Sequence, residues 1–202
     1  MASVVIPDEG RVLSDNAEVS AFLKPFGIWH ERWDLEERVS PEAPANEILL
    51  AYKPEIDRLS AAGGYITADV MQVTPETPNL DMMMEKFKSE HTHSEDEVRF
   101  ILRGAGLFHI HPENGPVFAI QVEAGDLINV PKGVRHWFNL CADRNIRAIR
   151  LFQNTAGWTP QYVDDPVSGR YQPLCFGPAY VGNQADGPAS RLDTSLQSRL
   201  KV

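Results

Sequence analysis

Between Glu97 and Gln153 the chain breaks into short apolar runs separated by turns that contain glycine, proline or asparagine, and that spacing leaves little choice of fold. The runs fall at 97–103, 106–111, 116–122, 127–130, 135–140 and 146–153. Their valine, isoleucine, phenylalanine and tryptophan content is that of strands. Several strands at this spacing predict an antiparallel sandwich or small barrel.

The stretch before them reads differently. Ser14-Asp15-Asn16 can cap a helix that carries Val19, Phe22 and Leu23 toward a core and stops near Pro25 and Gly27. Asn46 can cap a second helix through Tyr52, Pro54 either starts a new helix or kinks this one, and Gly63-Gly64 ends the helical stretch. Tyr65 to Val73 is a strand. Leu80, Met83, Met84 and Phe87 recur at helical spacing, so a short amphipathic helix precedes residue 91. The expected fold class is mainly β with N-terminal helices. One domain covers residues 1–202, with a helical part at about 14–88, a β core at about 65–160 and an irregular tail at about 180–202.

Two clusters carry chemistry. His91-Thr92-His93-Ser94-Glu95-Asp96-Glu97 opens the β region, and Pro131-Lys132-Gly133-Val134-Arg135-His136 comes much later. Imidazole and carboxylate without thiolate suit divalent iron, nickel, manganese or zinc. Residues two apart on a strand share a side, so His91 and His93 can face one ion. A straight strand would carry Glu97 roughly 20 Å from His91, so the chain must bend at Ser94-Glu95-Asp96, which favours turns. Glu95 and Asp96 are then expected to be solvated. A hairpin after the Pro131–Gly133 turn returns His136 to the first cluster. Arg99 shares parity with Glu97 and Phe138 with His136, so both are expected on the same side as those ligands. His30 lacks any ligand spacing. His109 and His111 form a second His-x-His, but the only nearby carboxylate is Glu113, across Pro112, and they are read as partly exposed strand residues.

A net charge of -9 argues against nucleic acid or an anionic membrane as partner. No apolar segment has transmembrane length, and Met1–Asp8 lacks a signal-peptide pattern. Two cysteines, Cys141 and Cys175, are too few for a disulfide framework and fit a reducing cytosol. The expectation is a cytoplasmic monomer.

His91-x-His93-x3-Glu97-x6-Gly104 and Gly125-x5-Pro131-x-Gly133-x2-His136 resemble the two cupin motifs, the first without its leading glycine. Lys86-Phe87, the run Glu90–Phe100, Gly104-x-Gly106-Leu107-Phe108, His136-Trp137-Phe138 and Arg150-Leu151-Phe152 are similar to the acireductone dioxygenase family. So are Gly27-Ile28, Glu31-Arg32-Trp33 and Gly157-Trp158, and the resemblance spans about residues 20–160. It implies a cupin jelly-roll β-barrel, with metal ligands His91, His93, Glu97 and His136 and one Fe2+ or Ni2+ per chain. Glu97 and Arg99 would be catalytic, Arg99 by offsetting enolate charge. Phe87, Phe138, Arg150 and Trp158 would line the substrate pocket. The implied reaction takes 1,2-dihydroxy-3-keto-5-methylthiopentene and O2. Iron would give formate and 4-methylthio-2-oxobutanoate, closing methionine salvage, and nickel would give CO, formate and 3-methylthiopropanoate. Two other readings stay open: another metal-dependent cupin enzyme on a small hydroxy-carbonyl acid, or a non-catalytic metal-binding cupin.

Overall fold

The structure, a computed structural model, describes residues 1–35, 38–155, 158–164 and 166–175. The expected tail at about 180–202 and Gly157 lie outside the described residues. Strand β1 (Ser3–Ile6) and β2 (Arg11–Leu13) precede helix α1 (Asn16–Leu23), and β3 (Trp29–Arg32) follows it. Next come α2 (Ala45–Ala51), α3 (Lys53–Gly63), β4 (Thr67–Val73) and α4 (Leu80–Lys88). The remaining strands are β5 (His91–Thr92), β6 (Glu97–His111), β7 (Phe118–Glu123), β8 (Asp126–Val130), β9 (Arg135–Leu140), β10 (Ile146–Phe152) and β11 (Gln161–Tyr162).

All strand pairs are antiparallel, as the turn spacing implies, and they form two sheets that share β6. The first half of β6 pairs with β8 and β10, which in turn pair with β3 and β4. Its second half pairs with β7 and β9, leading to β1–β2 on one side and β5–β11 on the other. The sequence reads two strands here, 97–103 and 106–111, where the chain makes one bent strand. The bend needs its glycines. Gly104 has φ 77°, and a Cβ there would collide with the Asn145 carbonyl. A Cβ on Gly106 would lie 2.5 Å from the Phe138 ring.

Because β6 lies between two layers, Glu97 to Leu102 are all buried. Val98, Phe100 and Leu102 face outward beneath α2 and α3, and Phe100 packs 4.7 Å from Trp33 and 5.0 Å from Tyr52, centroid to centroid. Ile101, Phe108 and Ile110 face inward with Phe118, Ile120 and Ile146 between the sheets. Each such side chain contributes about 1.5–3 kcal/mol by leaving water.

The first part is more extended than its sequence implies. Helix α1 is capped as expected, with Asp15 Oδ1 accepting from Ala17 N at 2.9 Å and Glu18 N at 3.1 Å. The strands β1, β2 and β3 are unexpected. Local pattern cannot register them, because β1 and β3 pair with partners far along the chain, such as Val4 with Ile120 and His30 with Ile128, and β2 joins the sheet only through its hairpin with β1. His30 has a structural place: its Nε2 lies 3.1 Å from Asp126 Oδ1, and fully buried Asp126 also accepts from Arg32 and the Glu123 amide.

One expectation is overturned. Cys141 and Cys175 are not free thiols but a disulfide, with Cα atoms 5.7 Å apart. The chain after β11 runs back across the first sheet: Val167 N donates to Glu90 Oε2, Tyr171 packs 6.0 Å from Trp137, and its hydroxyl donates to Asp8. That path brings Cys175 to the β9–β10 turn. A reducing compartment therefore cannot be argued from these cysteines. Among the described residues no helix is long and apolar enough to cross a membrane.

His109, expected to be partly exposed, is only 1% exposed because it stacks on Trp137 at 4.8 Å with a 5° interplanar angle, and its Nδ1 has no partner among the described residues. Burial pushes its pKa down to about 4, against a hydrogen bond with the Gln172 backbone that raises it. Unfolded histidine takes its proton near pH 6.5, so the folded state loses stability as pH falls from there toward about 4. Urea unfolding at pH 7 and pH 4.5 is expected to show His109→Gln losing roughly 2–3 kcal/mol less than the parent across that interval. Equal losses would refute it.

Candidate metal centre

The bend between β5 and β6 is built from side chains as much as from turn residues. Asp96 Oδ1 accepts from the Lys132 amide at 3.0 Å, and Asp96 Oδ2 accepts from the Tyr65 hydroxyl at 3.3 Å. Gly133 N donates to the His93 carbonyl at 2.9 Å. These bonds tie the first histidine cluster to the turn that leads into β9. Glu95, expected in solvent, is 4% exposed and accepts from Gln153 N, Asn154 N and Asn154 Nδ2. The expectation fails because a tight bend turns its side chains inward onto the loop after β10, where backbone amides need acceptors. Burial raises the Tyr65 pKa well above its ordinary value, and the neighbouring Asp96 charge adds to it.

His91, His93 and His136 are all buried, and their donor atoms lie within 4.8 Å of one another. His91 and His136 are direct cross-strand partners of β5 and β9. Each ring is fixed from behind. The Nδ1 atoms lie 2.7 Å from Ser89 O, 3.2 Å from Thr159 O and 2.8 Å from Val134 O, respectively. A carbonyl only accepts, so each Nδ1 carries the proton and each neutral ring turns an Nε2 lone pair inward. Those lone pairs meet a carboxylate: Glu97 Oε2 lies 3.0 Å from His136 Nε2 and 3.2 Å from His93 Nε2. Acceptors facing acceptors in a buried space require a cation between them, or protons. Backbone carbonyls behind ligand imidazoles are the usual support of a metal site.

The charges favour a metal over protons. Burial above all, and the neighbouring His136 after it, push the His91 pKa down to about 4. Burial alone would raise the Glu97 carboxyl, but the charge of the adjacent Arg99 guanidinium leads the opposing influences that hold it well below the usual range. The donor set of neutral imidazoles and a carboxylate suits a divalent ion.

Arg99 faces inward as its parity predicts, with Nε donating to Glu97 Oε1 at 2.6 Å. Beyond it opens a cavity of about 410 Å³, lined by Phe87, Arg99, Arg150 and Trp158, all named from the sequence, together with Phe152 and Asp69. The cavity borders the histidines: the Phe87 ring lies 6.4 Å from His91 and the Trp158 ring 6.3 Å from His93. Trp158 is oriented by its Nε1 donating to Asp96 O at 3.0 Å. Phe138 does not line this cavity. It turns away because Gly106 leaves room opposite, and packs against Phe108 with the Arg99 guanidinium 5.1 Å from its ring. Sequence reasoning missed Asp96, Glu95, Asp69 and Phe152. Only Asp69 and Phe152 left a signal, each being on a predicted strand in register with the cavity wall.

Comparison with known proteins follows the same lines. The ARD/ARD' family profile matches residues 14–160. An acireductone dioxygenase of Picosynechococcus sp. is 42% identical over 174 residues, covering 86% of this chain and 99% of that protein. One from Bacillus pumilus is 38% identical, over 83% of this chain and 100% of that protein. Among solved structures, acireductone dioxygenase from Bacillus anthracis with a cadmium ion in its active centre superposes with a TM-score of 0.76 at 38% identity. It covers 80% of this chain and 98% of its own. That likeness extends to the jelly-roll fold with its flanking helices.

Replacing Asp96 by alanine leaves the Lys132 amide and the Tyr65 hydroxyl without their acceptor. The expected loss is about 1–3 kcal/mol of unfolding free energy, read by urea denaturation. A parent-like midpoint would mean that the bend holds without this side chain.

Proposed function

Because the chain belongs to the ARD/ARD' family, the acireductone dioxygenases, we propose that it cleaves 1,2-dihydroxy-3-keto-5-methylthiopentene with O2. The reading rests above all on three backbone-anchored imidazoles and one carboxylate that converge beside a cavity walled by arginine and aromatic rings. In this proposal His91, His93, Glu97 and His136 hold one divalent ion per chain, Fe2+ on the route to formate and 4-methylthio-2-oxobutanoate. With Ni2+ the products are CO, formate and 3-methylthiopropanoate. The ion would act as a Lewis acid toward adjacent enediol oxygens and provide the site at which O2 chemistry begins.

The chain's own groups supply the rest. Arg99 hydrogen-bonds substrate oxygen and offsets the charge of the enolate, while its Nε bond to Glu97 fixes where the guanidinium lies. Phe87, Phe152 and Trp158 receive the methylthio end and keep water from it. Phe138 supports Arg99 from the core side. Arg150 lines the substrate pocket beside Arg99. All four donors come from one chain, so a monomer suffices, and in this proposal residues 1–202 are a single cupin domain acting in the cytoplasm.

Purified protein is expected to carry about one transition-metal ion per chain by elemental analysis, and His91→Ala or His136→Ala to lose most of it. Full occupancy in both variants would remove these residues from the site. Arg99→Ala is expected to keep the ion and lose at least about 100-fold in turnover, measured by anaerobic mixing with acireductone followed by O2 and product identification. Consumption no faster than the uncatalysed reaction by the metal-loaded parent would refute the activity.

A further inference from the structure

Three charged residues stand in one row across the wall of the cavity. Asp69 on β4 is the direct partner of Arg150 on β10, and Arg150 is the direct partner of Arg99 on β6. All three side chains line the same space. Like charges directly opposite one another on paired strands repel, so the two arginines need compensation. Arg99 has Glu97, whose other oxygen faces the histidines. Arg150 has Asp69 in a bidentate grip: Nε to Oδ1 at 2.8 Å and Nη2 to Oδ2 at 2.5 Å. Both guanidiniums lie over the Trp158 ring, at 5.1 and 5.6 Å.

Two adjacent guanidiniums in a half-enclosed cavity are a carboxylate receptor, and bidentate pairing is their strongest mode. The reaction proposed above consumes an enediol and releases carboxylic acids, so such a receptor would favour product. Asp69 occupies the Nε–Nη2 edge of Arg150, one of the edges a carboxylate would grip. We propose that Asp69 is a positioning and specificity residue: an internal carboxylate that blocks Arg150 against the 2-oxo acid product and so lets the cavity prefer the enediol. The proposal rests on the assigned reaction for its biological sense, but not for its test. Asp69 is 46% exposed and Arg150 29% at the side chain, so the pair sits at the outer, more solvent-accessible end of the cavity.

The experiment titrates metal-loaded protein with 4-methylthio-2-oxobutanoate by calorimetry, in the parent, Asp69→Asn, Asp69→Glu and the double variant Asp69→Asn with Arg150→Gln. Asp69→Asn preserves shape and removes the charge. It is expected to bind the acid roughly tenfold more tightly, Asp69→Glu to return toward the parent, and the double variant to lose the gain. In turnover, added 4-methylthio-2-oxobutanoate is expected to inhibit Asp69→Asn at roughly tenfold lower concentration than the parent, in step with the tighter binding. Unchanged or weaker acid binding in Asp69→Asn overturns the proposal, as does a gain that survives in the double variant. If no form consumes acireductone, the assigned reaction fails, while the titration still decides what Asp69 does.

Discussion

Strand β6 is buried on both faces over its first half and bent at its middle, and the metal centre, the cavity and the helical layer all take their positions from it. Alternation along it sends Val98, Phe100 and Leu102 to α2 and α3, and Glu97, Arg99 and Ile101 into the interior. The outward set anchors the strand with apolar burial, so the inward set can afford two buried charges. Those charges are tolerable because they are paired with each other at 2.6 Å and are given further hydrogen-bonding partners. Loosening the outer packing would let the Glu97–Arg99 pair move relative to His136, although none of the outer residues touches the site.

How much of this was legible follows from the range of each interaction. Parity is a local property, so the sequence placed Arg99 inward with Glu97, and the need for a bend after His93 followed from strand rise alone. The partners that make the bend rigid were not legible. Asp96 finds the Lys132 amide 36 residues later, and Glu95 finds Gln153 58 residues later. A polar turn with distant partners looks the same in sequence as one in water. The N-terminal strands failed for a related reason: Ser3–Ile6 and Trp29–Arg32 are too short for a periodicity, and their identity comes from β7 and β8. Phe138 had the right parity, but a ring's final direction depends on the space opposite, here supplied by Gly106.

Rows of residues across strands, more than individual side chains, organise the interior. His91 lies opposite His136, and Arg99 opposite Arg150 opposite Asp69. Antiparallel pairing brings positions from separate parts of the chain to about 5 Å of each other, which is how two clusters nearly forty residues apart in the sequence become one centre. The backbone does much of the aiming. Ser89, Val134 and Thr159 contribute only carbonyls, so no substitution of their side chains needs to disturb the imidazoles they hold.

The bond between Cys141 and Cys175 has a topological consequence. It closes a covalent ring of chain with a sequence separation of 34 residues, and that ring contains β10 with Arg150, the loop with Trp158, and β11. A single cut by a protease anywhere between the two cysteines opens the ring without dividing the molecule. The wall of the cavity would stay attached through the sulfur bridge, and the two pieces would part only on reduction.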